Sequence, residues 1–299
     1  ASGSWLSVRP TAGTTPTTLS GAVNPAGLAA GTHEGTISII ATGAGNSPLT
    51  INVRLVVTAA PVLPFIAAVV NAASFLPTSV SPGQIVTLFG TTIGPATGVS
   101  LRLTTSGAVD TSIGDTRVLF DGIAAPMIYA SSRQVSAVVP YNVAGRFNTR
   151  LQVQYQGAGS NTIELRVVEA APAIFTVDSS GTGQGAILNQ NFSVNAPSNP
   201  AERGSVVMIY ATGEGQTTPG GVDGLVTGGV LRRPLQAVAV TIGGLPAEVL
   251  YAGSAPGLVS GVVQVNARVA EGVAPGGTAP VVVTIGGVRS QAAVTMAVR

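Results

Sequence analysis

The sequence predicts an all-β protein, a linear array of β-sandwiches of which the first one is incomplete. Three observations predict this class. Apolar and polar residues alternate with a period of two, as in strands with one buried face, in Thr36–Ile40, Thr50–Val57 and Leu151–Tyr155. Glycine and proline punctuate the chain at intervals of roughly ten residues, which is typical of sandwiches built from short strands. No segment shows sustained helical spacing of its apolar residues.

The first segment, residues 1–58, contains too few strands to close a sandwich. Strand-like stretches lie near residues 5–10, 17–24, 35–42 and 49–57, whereas an immunoglobulin-like sandwich needs about seven strands. The missing strands leave an apolar inner face and unpaired edges, which either aggregate or accept a strand from another chain. We therefore expect an inter-subunit interface. Its candidate residues are Trp5, Leu6, Val8, Ile37, Ile39, Val53 and Leu55.

Two further origins of the short first segment stay open. The chain is a trimmed form of a longer protein, or residues 59–80 fold back and complete the sandwich. Trp5 is the only tryptophan, and its place in the first strand favours a role as the core plug of this segment over a ligand-binding role.

An internal repeat divides the rest of the chain into two parts. Gly83–Thr91 aligns without a gap on Gly204–Thr212, and a repeat of this length marks duplicated supersecondary structure. Further matches follow in the same order: Val118–Ala125 with Val240–Ala247, and Gln134–Ala137 with Gln264–Ala267. The repeat predicts two homologous sandwiches, at 65–170 and 171–299, preceded by proline-containing linkers at 59–64 and 169–172.

Composition excludes several classes of partner. Charged residues are 9% of the chain, the net charge is +2, lysine is absent, and Arg232-Arg233 is the only adjacent basic pair. A nucleic-acid-binding protein needs a concentrated basic surface, so no nucleic-acid partner is expected. The longest apolar stretch, Val62–Pro77, is interrupted by polar residues and is shorter than the roughly 20 residues that a membrane span requires.

The cellular location is predicted from weaker signals. Cysteine is absent, which excludes disulfides and thiolate sites. The start of the chain, Ala1–Ser4, is small and polar, as in a mature chain after removal of a signal peptide. Sparse charge and richness in glycine, serine and threonine are typical of exposed exoproteins. We expect a secreted protein that is extracellular or at the cell surface.

The sequence nominates no catalytic, cofactor-binding or metal-binding residue, and we expect no enzyme and no cofactor. The single histidine, His33, lies between glycines at what looks like a hairpin tip, where a solvated side chain is expected rather than a base or ligand. The acidic residues are scattered singly. Gly181–Ala186 meets the dinucleotide-binding glycine pattern, but that motif requires a following helix, and a strand or hairpin is expected here instead.

Several motifs resemble known families. Ser81-Pro82-Gly83, Val86–Gly90, Val118–Gly122 and Val138-Val139-Pro140 resemble the IPT/TIG immunoglobulin-like domain. The region 65–299 also resembles a C-terminal module of acidobacterial extracellular proteins. The motifs that carry this second resemblance are Val70–Phe75, Gly183–Gln190 and Tyr210–Gly215. Residues 1–58 resemble part of a BACON-type module through Trp5–Val8, Val23–Leu28 and Gly31–Ile37. These resemblances imply immunoglobulin-like sandwiches and no specific activity.

The sequence therefore predicts a non-enzymatic extracellular structural protein. It would be the subunit of a filament or surface assembly whose copies are joined by strand complementation, so that its main partner is another copy of itself. The alternative is a carbohydrate-binding or adhesive cell-surface protein, with surface glycans as partners. A third possibility is a scaffold piece of a larger surface enzyme.

Overall fold

The computed structural model describes residues 1–77 and 79–299. These residues form two compact units, Ala1–Val62 and Leu63–Arg299. The all-β prediction is confirmed, because the described residues form 26 strands and a single short 3-10 helix at Tyr141–Val143. Among the same residues, no helix is long and apolar enough to cross a bilayer.

The first unit consists of two antiparallel strand pairs. Its strands are β1 (Leu6–Arg9), β2 (Ser20–Val23), β3 (Gly31–Ile39) and β4 (Leu49–Val57). β1 pairs with β2, and β3 pairs with β4, as two separate two-stranded sheets. All four predicted stretches form strands, and the bounds of β4 are the predicted ones.

The third strand begins earlier than the apolar pattern indicates, at Gly31 rather than at residue 35. His33 is consequently not at a hairpin tip, and the prediction of that position was wrong: it lies inside β3 opposite Leu55. The imidazole Nε2 donates to the Ala29 carbonyl oxygen at 2.8 Å. The physical reason is that the main-chain ladder with β4 continues where side-chain alternation stops, because backbone pairing does not require apolar side chains.

The second unit begins with a sandwich that we call the middle sandwich. Its strands are β5 (Phe65–Asn71), β6 (Ile85–Thr91), β7 (Val99–Ser100), β8 (Thr116–Phe120), β9 (Ile123–Ala124), β10 (Met127–Ala130), β11 (Gln134–Val138), β12 (Asn148–Tyr155), β13 (Ala158–Gly159) and β14 (Ile163–Arg166). They form sheets of order β5-β6-β11-β10-β7 and β13-β12-β8-β9, with β14 also paired to β12. Leu88 and Val135 of one sheet and Phe120 and Leu151 of the other belong to one buried core.

The pairing of β5 decides one of the open alternatives. Phe65–Asn71 forms a ladder with Ile85–Thr91, so this segment is part of the middle sandwich. It does not fold back to complete the first unit.

The remaining strands form what we call the C-terminal sandwich. They are β15 (Ala173–Ile174), β16 (Gly183–Gln184), β17 (Ile187–Leu188), β18 (Val206–Thr212), β19 (Thr217–Thr218), β20 (Arg233–Pro234), β21 (Val238–Ile242), β22 (Leu245–Ser254), β23 (Val263–Arg268), β24 (Gly276–Ile285), β25 (Val288–Arg289) and β26 (Val294–Val298). The main sheet order is β15-β18-β23-β22-β21-β24-β26-β16, with β17 on β18 and β25 on β24, while β19 and β20 pair separately. Ile209, Val265, Val283 and Met296 lie in its single buried core.

The two sandwiches pair equivalent strands in the same register. In the middle sandwich Leu88 of β6 lies opposite Val135 of β11. In the C-terminal sandwich Ile209 of β18 lies opposite Val265 of β23. The edge partner of each of these ladders, β10 or β22, carries a register shift at the equivalent place. The repeat found in the sequence thus extends to strand pairing.

Hydrogen bonds join the two sandwiches inside the second unit. The Ile85 amide donates to Thr212 Oγ1 at 2.8 Å, and the Tyr141 amide donates to Asp223 Oδ1 at 2.8 Å. The Tyr141 ring lies so close to Gly221 that a Cβ there would collide with it. We call this region of contact the junction.

Candidate functional site

The strand residues predicted as an inter-subunit interface lie on the inner face of the first unit. The β3–β4 register places Gly35 opposite Val53 and Ile37 opposite Ile51. Directly opposite residues of an antiparallel pair point to the same face, and residues two apart share that face. One face of this pair therefore carries Ile37, Ile39, Leu49, Ile51, Val53 and Leu55.

The other two large predicted residues cover part of this face. Trp5 and Leu6 are buried. A Cβ added to Gly35 would lie 3.0 Å from the Trp5 ring and 3.2 Å from Leu6 Cδ2, so β1 and the residue before it pack on β3 where glycine leaves room. Trp5 therefore fills the small core of the first unit, as the sequence favoured. Val8, further along β1, is half-buried.

The rest of the inner face is open. Ile37, Ile39, Val53 and Leu55 are only partly buried. Leu49 is 50% exposed and Ile51 is 44% exposed. Sequence reasoning left these last two out of the predicted interface. The signal that could have found them is the alternation of β4, which begins at Leu49 and not at Val53.

One edge of the β3–β4 pair is already in use and the other is unpaired. The Ser2 amide donates to the Thr36 carbonyl oxygen at 2.8 Å, and the Thr36 amide donates to Ser2 Oγ at 2.8 Å. Thr36 therefore points its main-chain groups away from β4. Its partner Asn52 must point its own main-chain groups away from β3, because the two form a non-hydrogen-bonded pair. Within the described residues, only β3 pairs with β4.

A family match lies in the middle sandwich. Residues 70–167 match the family model of the IPT/TIG domain. This segment includes all of β6 to β14, so the immunoglobulin-like part of the predicted resemblance is supported. The IPT/TIG match indicates an immunoglobulin-like surface or adhesion-type module. The BACON-like and acidobacterial resemblances stay predictions.

Comparisons with whole proteins add little. No curated protein matches the chain significantly. Among solved structures, an endo-fucoidan hydrolase from glycoside hydrolase family 107 is similar at 12% identity with a TM-score of 0.19, over 100% of this chain and 38% of that protein's chain. The chain thus spans well under half the length of that hydrolase, and a TM-score this low carries no argument.

The junction between the IPT/TIG domain and the C-terminal sandwich holds a buried carboxyl group that the sequence analysis missed. Glu214 is 1% exposed, and its Oε2 has no hydrogen-bond partner among the described residues. Burial raises the pKa of Glu214 from 4.5 to about 8. The carboxyl group is therefore largely protonated at neutral pH.

The backbone around Glu214 explains its burial. Gly213 and Gly215 have φ values of +85° and +79°, which favour glycine. A Cβ at either position would collide with the carbonyl oxygen of Ala171 or Glu169. The chain can therefore press against the inter-sandwich linker only because both neighbours of Glu214 are glycines. The Gly-Glu-Gly run was the available sequence signal.

The ionisable groups beside Glu214 are shifted in the same direction. The pKa of Tyr141 lies well above its usual range, first because the phenol is buried and then because of the Glu214 and Asp223 charges. Desolvation raises the pKa of Asp223, against the hydrogen bond from the Tyr141 amide. A buried carboxyl with a raised pKa is a frequent feature of active sites, but structural junctions produce it too. The raised pKa values therefore do not by themselves assign a catalytic role to the junction.

The remaining sequence motifs have structural roles. Gly181 and Gly183 have positive φ values, and Ile187–Leu188 continues into a hairpin closed by a bridge from Leu188 to Val194. The predicted hairpin after the glycine motif is thus confirmed, and it lacks the helix that a dinucleotide site needs. In the part of the chain that the structure describes, no three acidic or histidine side chains cluster as metal ligands would.

Proposed function

We propose that the chain is a non-enzymatic extracellular structural protein that assembles with copies of itself. The open first unit of one copy receives an additional strand from a neighbouring copy, and the assembly grows into a filament or surface layer. The observation that carries this proposal is the partly exposed apolar face of the first unit beside the unpaired edge of β4.

The open face supports the proposal through the hydrophobic effect. Leu49 and Ile51 each expose about half of their side chain to water. An added strand that projects apolar side chains onto this face would remove this surface from water, at about 25 cal/mol per Å² of apolar area buried. Main-chain hydrogen bonds along the edge would supply further affinity.

The free edge supports it through geometry. Edge strands in monomeric proteins are usually short, charged or interrupted by proline. β4 is nine residues long, and Arg54 is its single charged residue. Head-to-tail contacts of this kind extend without closing, which fits a filament better than a dimer.

The test replaces one outward-pointing amide of the β4 edge. Asn52→Pro removes a main-chain donor from the free edge without breaking the ladder to β3, because Asn52 points away from Thr36. We expect the weight-average mass of the wild-type chain in light scattering to rise between about 1 μM and about 1 mM. The proline variant should stay monomeric over the same range.

Asn52→Ala is the matched control, because it shortens the same side chain but keeps the amide. It should assemble like the wild-type chain. The proposal is wrong if the wild-type chain is folded and strictly monomeric at every concentration, or if the proline variant assembles as well as the alanine variant.

A second candidate function is that of an adhesive or carbohydrate-binding surface protein. An amide-lined groove on the C-terminal sandwich favours it, and its chemistry is developed below.

A further inference from the structure

The C-terminal sandwich carries a polar groove that the proposed assembly does not use. Its cavity measures about 440 Å³, within the range of about 300–1,000 Å³ that is typical of small-ligand sites. One wall is the loop Asn189–Asn191 and the other runs from Asn199 to Ser205, with Arg299 between them. The lining residues are Asn189, Gln190, Asn191, Asn199, Pro200, Ala201, Glu202, Ser205 and Arg299.

A network of buried amides holds the first wall in place. Asn195 Nδ2 donates to Asn189 Oδ1 at 2.9 Å and to the Ala297 carbonyl oxygen at 2.9 Å. Asn189 Nδ2 donates to the Asn199 carbonyl oxygen at 2.9 Å, which ties the two walls together. Asn189 and Asn195 are both buried. Such satisfied networks rigidify a site, so the groove is preorganised.

Two amides on this wall keep their donors available. Gln190 accepts from the Val206 amide through Oε1 at 3.0 Å, and Asn191 accepts from the Ser193 amide through Oδ1 at 3.1 Å. Within residues 1–77 and 79–299, no hydrogen bond uses the side-chain NH₂ group of either residue. Each NH₂ carries two donors. Both side chains are therefore held by their oxygen and present their nitrogen to a ligand.

The same loop displays an aromatic ring. Phe192 is 75% exposed and has a φ of +66°, a conformation that is uncommon for a residue with a large side chain. Its amide donates to the Asn189 carbonyl oxygen at 2.9 Å, which fixes the turn. Strained backbone positions concentrate at functional sites. A rigidly held, exposed ring can stack on the apolar face of a ligand.

We propose that this groove binds a neutral saccharide. Amide donors match sugar hydroxyl groups, and an exposed ring beside them matches the C–H face of a pyranose. The one charged pair, Arg299 with Glu202, has opposite signs that compensate each other, so a strongly charged ligand gains little. This site is separate from the first unit, and the proposal stands or falls independently of the assembly.

The test is calorimetric titration of the full chain with cellotetraose, xylotetraose, mannotetraose and the tetramer of N-acetylglucosamine. At least one should bind with a dissociation constant below about 5 mM. Phe192→Ala should weaken that binding about tenfold or more, since stacking on an aromatic ring contributes on this scale. Asn191→Asp should weaken it similarly, because it keeps the oxygen that accepts from Ser193 and removes the NH₂ donors.

Phe147→Ala is the matched control. Phe147 is 74% exposed but lies in the IPT/TIG domain under the Arg166 guanidinium group, so its loss should leave saccharide binding unchanged. The thermal midpoint of each variant reports folding. The proposal is overturned if no tetrasaccharide binds, if folded Phe192→Ala binds like the wild-type chain, or if Phe147→Ala loses binding equally.

Discussion

The first unit and the middle sandwich are built from the same alternating strands but bury them differently. β4 alternates apolar and polar residues over nine positions, yet Leu49 and Ile51 stay about half exposed. β12 alternates in the same way, and Leu151 and Val153 are fully buried. The difference is the second layer, which the middle sandwich has and the first unit largely lacks. Alternation thus predicts which face is apolar, whereas burial requires a partner sheet.

The largest effect should come from truncating the closed core. Phe120 is fully buried between the sheets of the middle sandwich, and Phe120→Ala should lower the free energy of unfolding of the second unit by about 3–5 kcal/mol. Leu49→Ala in the open first unit should cost less than about 1 kcal/mol. Urea titrations followed by circular dichroism and by Trp5 fluorescence measure the two. Equal losses would contradict the difference in closure.

The next effect is a pH dependence at the junction. The pKa of Glu214 is raised on folding from 4.5 to about 8, so the folded state holds a proton that the unfolded state releases. Stability from this group is complete below about pH 4.5, falls between about pH 4.5 and 8, and is level above. Glu214→Gln should therefore raise the free energy of unfolding at pH 8.5 by about 2–4 kcal/mol relative to the wild-type chain.

The control for the junction is an exposed acid. Glu248 forms an exposed ion pair with Arg268, so Glu248→Gln should change stability by less than about 1 kcal/mol. Thermal or urea unfolding measured from pH 4 to 9 separates the two variants. A Glu214→Gln profile that is parallel to the wild-type profile would show that Glu214 does not titrate as the burial requires.

The smallest effect concerns the core of the first unit. A Cβ on Gly35 would lie 2.9 Å from the Ser2 carbonyl oxygen and 3.0 Å from the Trp5 ring. Gly35→Ala should therefore destabilise the first unit by about 1–3 kcal/mol, as overpacking does, and change the Trp5 emission. Gly45→Ala, where nothing lies within 4 Å, should leave both unchanged. An unaltered Gly35→Ala transition would mean that β1 does not pack on β3 as described.

Much of the fold was accessible from sequence because strand signals are local. The bounds of β4 and the repeat of β6 in β18 follow from alternation and from matching residues. The start of β3 was not accessible, because Gly31 to Glu34 pair through the main chain and carry no apolar pattern. The interface was found in part: Val53 and Leu55 were named, whereas Leu49 and Ile51 needed the observed register.

The polar features depended on contacts that are distant in sequence. Glu214 is buried because its neighbouring glycines press against the linker near Ala171. The groove forms because Asn189 and Asn195 bond to segments as far away as Ala297. Residue types alone do not reveal such convergence.

By itself, the sequence determined that this protein is all-β, where most strands lie, and that two sandwiches share one plan, since turn residues and alternation act over a few neighbouring positions. Only the tertiary structure decided which apolar faces are covered, which carboxyl group loses its water, and which amides keep free donors. Burial and hydrogen-bond satisfaction are properties of segments brought together from far along the chain, and no local pattern encodes them.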